Sequence, residues 1–211
     1  MAKVKKSTGI AIAAVLALVV VAGGLIQMSS GGSSKGGTIT YLTHSEAWTH
    51  ADPNRNYTGQ HIAWFGSYMH RTLTAYARAE GSAGSAVVPD LATDTGRSSN
   101  DNKTWEFTLR DGVTFEDGSA ITCEDIKYGV SRTFATDVIT DGPTYAISML
   151  DIPSAEDGSS VYKGPYATAA NDTAAYDKAV TCSEDNKTIT FNLKRSVGDF
   201  NYTVTYLSFS P

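Results

Sequence analysis

The chain has 211 residues, 41% of them apolar, which is enough to build a core in one ordinary domain or a small pair and excludes disorder over most of its length. Its net charge of -5, with no cluster of Lys and Arg beyond the first few residues, excludes a nucleic-acid partner, which needs a concentrated basic surface to displace counterions. The chemistry must therefore be sought in small-molecule, peptide or protein recognition, or in catalysis.

In chain order, Lys3, Lys5 and Lys6 precede an apolar run over 10–26, the charged-then-apolar order of a secretory signal. Val20 and Ala22 supply small residues for cleavage after Ala22. The run is also only slightly shorter than the roughly 20 residues of a membrane-spanning helix, so residues 1–28 read as a signal peptide or as an N-terminal membrane anchor. Either reading predicts an exported protein, secreted or held at the extracellular face of the cell membrane or in the periplasm. Residues 29–37, "SSGGSSKGG", are a Gly/Ser linker with nothing to bury, and the folded body is expected over 38–211.

"TITYLT" (38–43) alternates and predicts a strand. "HSEAWTHADPNRNYTG" (44–59) follows, with a turn at Asp52 and Pro53. Ile62, Phe65, Met69, Leu73 and Tyr76 recur at steps of three or four, which predicts one helix ending before Gly81. "EGSAGSAVVPDLATDTG" (80–96) reads as mostly loop.

A repeat follows: residues 101–110 and 185–194 share the pattern D-N-K-T-x-x-F-x-L-[KR]. Each copy is a polar turn leading into a strand, with Trp105, Phe107 and Leu109, or Ile189, Phe191 and Leu193, on one face. The two strands can lie in one sheet. Between them, Thr122 and Asp125 have capping-box spacing and open a helix whose buried stripe is Ile126, Val130 and Phe134. Residues 137–175 are rich in Gly, Pro, Asp, Ser and Thr and predict loops with short helical turns.

The two cysteines, Cys123 and Cys182, predict a disulfide in an exported chain; in a reducing compartment the same pair would be free thiols or a catalytic thiol at a helix N-terminus. In "LRDGVTFEDG" (109–118), Asp111, Glu116 and Asp117 could form a carboxylate site, but both aspartates precede glycines, which is turn chemistry. His44, His50, His61 and His70 fall close together without metal-ligand spacing, and no metal is expected. The chain has no nucleophile elbow, phosphate-cradling loop or dinucleotide fingerprint, so neither an enzyme nor a cofactor is expected. The sequons at Asn56, Asn102, Asn171, Asn186 and Asn201 are ordinary for an Asn- and Thr-rich chain.

The segment "WEFTLRDGVTFEDGSAITCEDIKYGVSRTF" (105–134) resembles the signature of the extracellular solute-binding proteins, family 5, the peptide/nickel-type receptors of ABC importers. Leu109, Arg110, Asp111, Gly112, Phe115, Asp117, Gly118, Thr122, Glu124, Asp125, Ile126 and Arg132 carry the resemblance, with "VVPDLATD" (87–94) and Asp52-Pro53 upstream. It implies a mixed α/β periplasmic-binding-protein-like fold of type II, here a partial first lobe with its subdomain and without the second lobe. In "VAGG" (21–24), Gly24 stands where many bacterial members have a lipobox cysteine, so thioether lipidation is excluded.

The implied function is the extracytoplasmic substrate-binding component of an ABC importer for oligopeptides or dipeptides, non-catalytic, and because family members are substantially longer the expectation is a fragment. Its partners are a peptide or other small solute and an ABC permease with ATPase subunits. A receptor for nickel chelates or oligosaccharides is the alternative within the class. A secreted carboxylate-dependent hydrolase and a membrane-anchored adhesive module are the alternatives outside it. In such a fold the loop after the first strand and neighbouring helix ends line the cleft, which nominates Thr43, His44, Glu46 and Trp48, then Tyr68 and Arg71, as ligand-binding residues; Trp48 and Tyr68 could equally be core aromatics.

Overall fold

The computed structural model describes residues 37, 38, 40, 42, 50–168 and 170–211. The strand expected at 38–43, the apolar run at 10–26 and the linker at 29–37 fall largely or wholly outside them. Ala47–Pro211 form one compact unit. Among the described residues no helix is long and apolar enough to cross a membrane.

The first α-helix among the described residues is α1, Gly59–Tyr68. The sequence reading extended it through Leu73 and Tyr76, and this is corrected. After Met69 the backbone turns into strand β1, Thr74–Tyr76, which pairs antiparallel with β2, Val87–Pro89. The β-branched Thr72 and Thr74 flank Leu73, and the backbone carbonyls of Thr72 and Leu73 accept from Leu91 and Ala92 at 2.9 and 3.0 Å. Leu73 is fully buried as the stripe required, but from an extended segment, whereas Met69 and Tyr76 are exposed. The stretch expected to be loop thus contributes β2 and two core residues, Leu91 and Ala92.

The central sheet has the order β3-β4-β6-β5, all antiparallel, with β3 Arg97–Ser99, β4 Thr104–Thr108, β5 Val180–Cys182 and β6 Thr188–Asn192. The repeated strands are neighbours at its middle, with Trp105 opposite Phe191 and Phe107 opposite Ile189. Alternation puts these four side chains on the buried face and Thr104, Glu106, Thr108, Thr188, Thr190 and Asn192 on the half-buried one. The two turns differ despite their shared letters. Asn100, Asp101 and Asn102 all have positive φ, whereas in the second copy Asn186 alone does. Asn and Asp tolerate that conformation better than other residues with side chains.

Helix α2, Cys123–Arg132, starts as predicted: the Asp125 carboxylate accepts the Thr122 N–H and hydroxyl, each at 2.7 Å. Ile126 and Val130 are fully buried, and Phe134 follows just past the helix end at 2% exposure. The expected disulfide is present: Cys123 and Cys182 join α2 to β5 with their Cα atoms 5.8 Å apart. Short helices α3, Tyr145–Met149, and α4, Thr173–Ala179, occupy the predicted loop-rich region, and α5, Phe200–Thr203, follows the sheet. Phe191 lies at the hub of the core, its ring 6.1, 5.4 and 5.9 Å from those of Phe107, Phe200 and Phe209.

Because the disulfide closes a 59-residue separation, loop-entropy arithmetic assigns it about 4 kcal/mol. Urea unfolding of the Cys123→Ser/Cys182→Ser variant should show a loss of about 2–4 kcal/mol relative to the oxidised chain. Reducing agent should produce the same loss in the native sequence and none in the variant.

Candidate ligand-binding site

Asp52 and Pro53 begin a single 3-10 turn, Pro53–Arg55, in which the Asn54 N–H donates to Asp52 Oδ1 at 3.0 Å. Proline pre-sets the backbone for the turn and its missing N–H costs nothing there. Arg132, the last residue of α2, clamps this turn in place. Its Nη1 and Nη2 donate to Asp52 Oδ1 and Oδ2 at 3.1 and 2.6 Å, Nη1 also to Asn54 Oδ1 at 3.0 Å, and Nε to the Tyr166 hydroxyl at 2.7 Å. The side-chain amide of the buried Asn54 completes the joint, donating to the Gly129 carbonyl at 3.1 Å and the Thr133 hydroxyl at 3.0 Å. Burial opposes the Arg132 charge, but its bonds to Asp52 and Tyr166 outweigh burial and hold its pKa above the ordinary value.

The turn carries Arg55, whose Nε donates to Asp141 Oδ1 at 2.6 Å, while His50 Nε2 lies 3.1 Å from Asp141 Oδ2. The hydrogen bond from Arg55 is the main cause that depresses the Asp141 pKa. Next to Asp141, Gly142 has φ +112, and a Cβ there would stand 2.0 Å from the Asn54 carbonyl oxygen, so only glycine lets this loop lie against the turn. The contact leaves a small concavity of about 90 Å³ bordered by Asn54, Thr133, Ile139, Asp141 and Thr144.

The same two segments bring up aromatic groups. Tyr145, at the start of α3, lies with its ring 4.7 Å from that of Tyr206, and their hydroxyls are 3.5 Å apart. Tyr57, more than half exposed, lies near enough to Tyr145 for a side-chain interaction that raises the Tyr57 pKa. Three phenols from distant parts of the chain thus meet at the surface. They offer ring faces for stacking and hydroxyls that both donate and accept, which suits an extended polar-apolar ligand. Asn56, in the adjoining position, is 1% exposed, and its Oδ1 has no donor among the described residues.

Of the residues nominated from the sequence, Thr43, His44, Glu46 and Trp48 lie outside the described residues. Tyr68 ends α1, 70% exposed, with its ring 5.6 Å from that of Trp64. Arg71 has its guanidinium engaged by Asp90, with Nε and Nη2 at 2.9 and 2.6 Å from Oδ1. Tyr68 and Arg71 are neighbours in the chain, but neither borders the concavity at Asp141. The sequence reading missed Tyr57, Tyr145, Tyr206 and Asp141. No local pattern marks them, since their meeting depends on the clamp at Arg132.

Two of the acids of "LRDGVTFEDG" have structural partners. Asp117 Oδ1 accepts the Ser119 N–H at 2.8 Å and its hydroxyl at 2.6 Å, and these bonds lower its pKa, the opposite of what a general acid needs. Asp111 points outward and pairs with Lys187 at 2.7 Å. His70 lies against Phe65 with its pKa lowered by burial, and among the described residues no three His, Cys, Asp or Glu side chains cluster as metal ligands. With the cysteines joined, neither is a free thiol.

Residues 86–211 match the family described as bacterial extracellular solute-binding proteins, family 5 Middle, and the chain belongs to that family. The probable D,D-dipeptide-binding periplasmic protein DdpA of Escherichia coli (strain K12) is 29% identical over 119 residues, covering 53% of this chain and 22% of its own. The periplasmic murein peptide-binding protein MppA of the same organism is 44% identical over 46 residues, 22% of this chain and 8% of its own. Among solved structures, clavulanic acid biosynthesis oligopeptide binding protein 2 superposes with a TM-score of 0.62 at 34% identity, over 76% of this chain and 27% of its own. An unliganded open form of MppA, at 24% identity and a TM-score of 0.53, shares the fold. The fold is therefore mixed α/β and corresponds to part of a type II periplasmic-binding-protein-like structure. The chain spans 22% of DdpA and 27% of the oligopeptide binding protein, about a quarter of the length of such relatives.

Truncating Arg132 strands Asp52 in a partly buried position, so Arg132→Ala should cost about 2–4 kcal/mol in denaturant unfolding. Arg132→Lys should recover less than half of it, because an ammonium cannot serve both carboxylate oxygens, Asn54 and Tyr166 in one plane.

The phenols allow a second check. Tyr57 and Tyr145 are shifted up mainly by side-chain hydrogen bonds, and the buried Tyr176 is raised well above 10 mainly by burial. Groups whose folded pKa is raised stabilise the fold fully below the unfolded value and lose that contribution as pH rises through the folded one. Absorbance at 295 nm should therefore show these phenols ionising later in the native chain than in urea, with the unfolding midpoint falling above pH 10.

Proposed function

We propose that this chain is part of the extracytoplasmic substrate-binding component of an ABC importer, non-catalytic, that takes up oligopeptides or dipeptides and delivers them to a permease with its ATPase subunits. The observation that carries this reading is the family match over residues 86–211, together with relatives whose names specify dipeptide, murein peptide and oligopeptide binding. Family membership supports export to the periplasm or the outer face of the membrane, with residues 1–28 acting as signal peptide or anchor. The buried disulfide is consistent with an oxidising compartment.

In this reading the peptide lies against Tyr57, Tyr145 and Tyr206. Thr43, His44, Glu46 and Trp48, nominated from the loop after the first strand, and Tyr68 and Arg71, at and after the end of α1, are further candidate ligand residues. The tyrosine hydroxyls bond peptide amides and the rings pack on side chains, a mode that tolerates varied sequences.

Titration calorimetry of the exported protein against a D,D-dipeptide, a tripeptide, a longer oligopeptide library, a nickel chelate and an oligosaccharide tests the assignment. Saturable heat is expected with at least one peptide class, and Tyr145→Ala should weaken it roughly tenfold or more. Heat with only the chelate or the sugar would reject peptides as the ligand.

A further inference from the structure

One concavity on this unit, of about 360 Å³, is rich in lysine. Lys103, at the start of β4, Lys178, near the end of α4, and Lys194, just after β6, all border it, with Asn100, Asn192 and a single carboxylate, Asp151. Three lysines against one aspartate give a local formal charge of +2 on a chain whose overall charge is -5. The unit Ala47–Pro211 contains six lysines (Lys103, Lys127, Lys163, Lys178, Lys187 and Lys194), so half of them border this one hollow.

Those three, like Lys163, whose ammonium donates to the Ser159 hydroxyl, are in no ion pair among the described residues. Lys127 and Lys187 are paired with Asp177 and Asp111, whereas among the described residues Lys103, Lys178 and Lys194 have no carboxylate within ion-pairing distance. Lys194 Nζ donates to the Ile147 carbonyl at 3.1 Å, a bond that orients the ammonium without neutralising it.

The rim is held by backbone bonds. Leu193 N–H donates to the Lys103 carbonyl at 2.7 Å, Asp151 N–H to that of Asn192 at 2.8 Å, and Lys194 N–H to that of Met149 at 2.9 Å. The Asn192 amide donates to the Lys178 carbonyl at 3.0 Å, tying the end of α4 to β6, while its Oδ1 accepts the Thr104 hydroxyl at 3.2 Å. The lysine stems therefore spring from fixed points around one hollow, which reduces the ordering cost of converging on a ligand.

We propose that this hollow binds a phosphoryl group. A phosphate monoester or inorganic phosphate carries -1.5 to -2 near neutral pH, which matches the local +2, and its three or more acceptor oxygens match three separate ammoniums. A single carboxylate satisfies neither the charge nor the number of donors. The proposal is independent of peptide binding, since none of these residues belongs to the tyrosine cluster.

The test uses the 211-residue chain and two sources of the same chemistry. In the first arm, inorganic phosphate is titrated into the labelled protein by amide NMR, against sodium chloride at equal ionic strength. Saturable shifts confined to residues near 100–104, 151, 178 and 192–194 are expected with phosphate alone. In the second arm, the protein is floated with vesicles of phosphatidic acid or of phosphatidylcholine, and retention of the native chain above that of Lys103→Gln/Lys178→Gln/Lys194→Gln on phosphatidic acid alone identifies a lipid headgroup. Each single Lys→Gln change should weaken the response roughly tenfold, and the triple variant should abolish it. Lys187→Gln, whose ammonium is paired with Asp111, should leave it unchanged.

Asp151→Asn removes the only negative charge on the hollow and should tighten binding, which keeps the test decisive if the triple variant folds poorly. A phosphate response no different from chloride together with equal flotation of native and triple-variant protein, or a response undiminished in the triple variant, would overturn the proposal.

Discussion

The pairing of β4 with β6 is the interaction on which the rest of this unit depends. It sets Trp105 and Phe107 against Phe191 and Ile189 on one face, and every later element packs on the apolar surface so created. A slip of one residue would turn all four side chains to the polar side and leave Thr and Asn facing the core. Phe200 and Phe209 reach the sheet from the end of the chain, and Cys182 on β5 anchors α2 covalently. The sheet is antiparallel and one-sided, which explains why its second face can be threonine-rich and half-exposed.

Position at the candidate site passes from this core through α2. The helix is fixed by its buried stripe and its disulfide, and its last residue, Arg132, holds the Asp52 turn. That turn in turn receives the loop at Gly142 and aligns Tyr57 with Tyr145 and Tyr206. Charged groups in this chain are thus mostly positioning groups. Asp52 and Arg132 neutralise each other where they are partly buried, and Arg55 pairs with the more exposed Asp141. Tyr57 and Tyr145 are uncharged groups, their pKa values raised mainly by side-chain hydrogen bonding.

The family signature over 105–134 is, physically, a piece of this scaffold. Its strand supplies the core face of β4, its two Asp-Gly pairs make the turns at Gly112 and Gly118 with positive φ, and its Thr122 and Asp125 open α2. Asp111 and Asp117 are spent on Lys187 and Ser119. The residues that make the chain recognisable are therefore distinct from the proposed tyrosine site, apart from Arg132, which belongs to the signature and holds the Asp52 turn.

The sequence by itself determined the elements whose signals are local: the period-two strands of the repeat, the capped helix at Thr122, the Asp-Gly turns, and the pairing of the only two cysteines. It misled where two periodicities overlapped. Phe65 and Leu73 are both buried at helical spacing, yet the chain changes from helix to strand between them, because the carbonyls at Thr72 and Leu73 find partners at Leu91 and Ala92. Those partners are distant in sequence, so no window around Leu73 contains the information. The same reason governs the tyrosine cluster and the lysine hollow. Each is assembled from segments well separated in the chain, and side chains so separated acquire a common place only when the sheet and α2 have brought their backbones together.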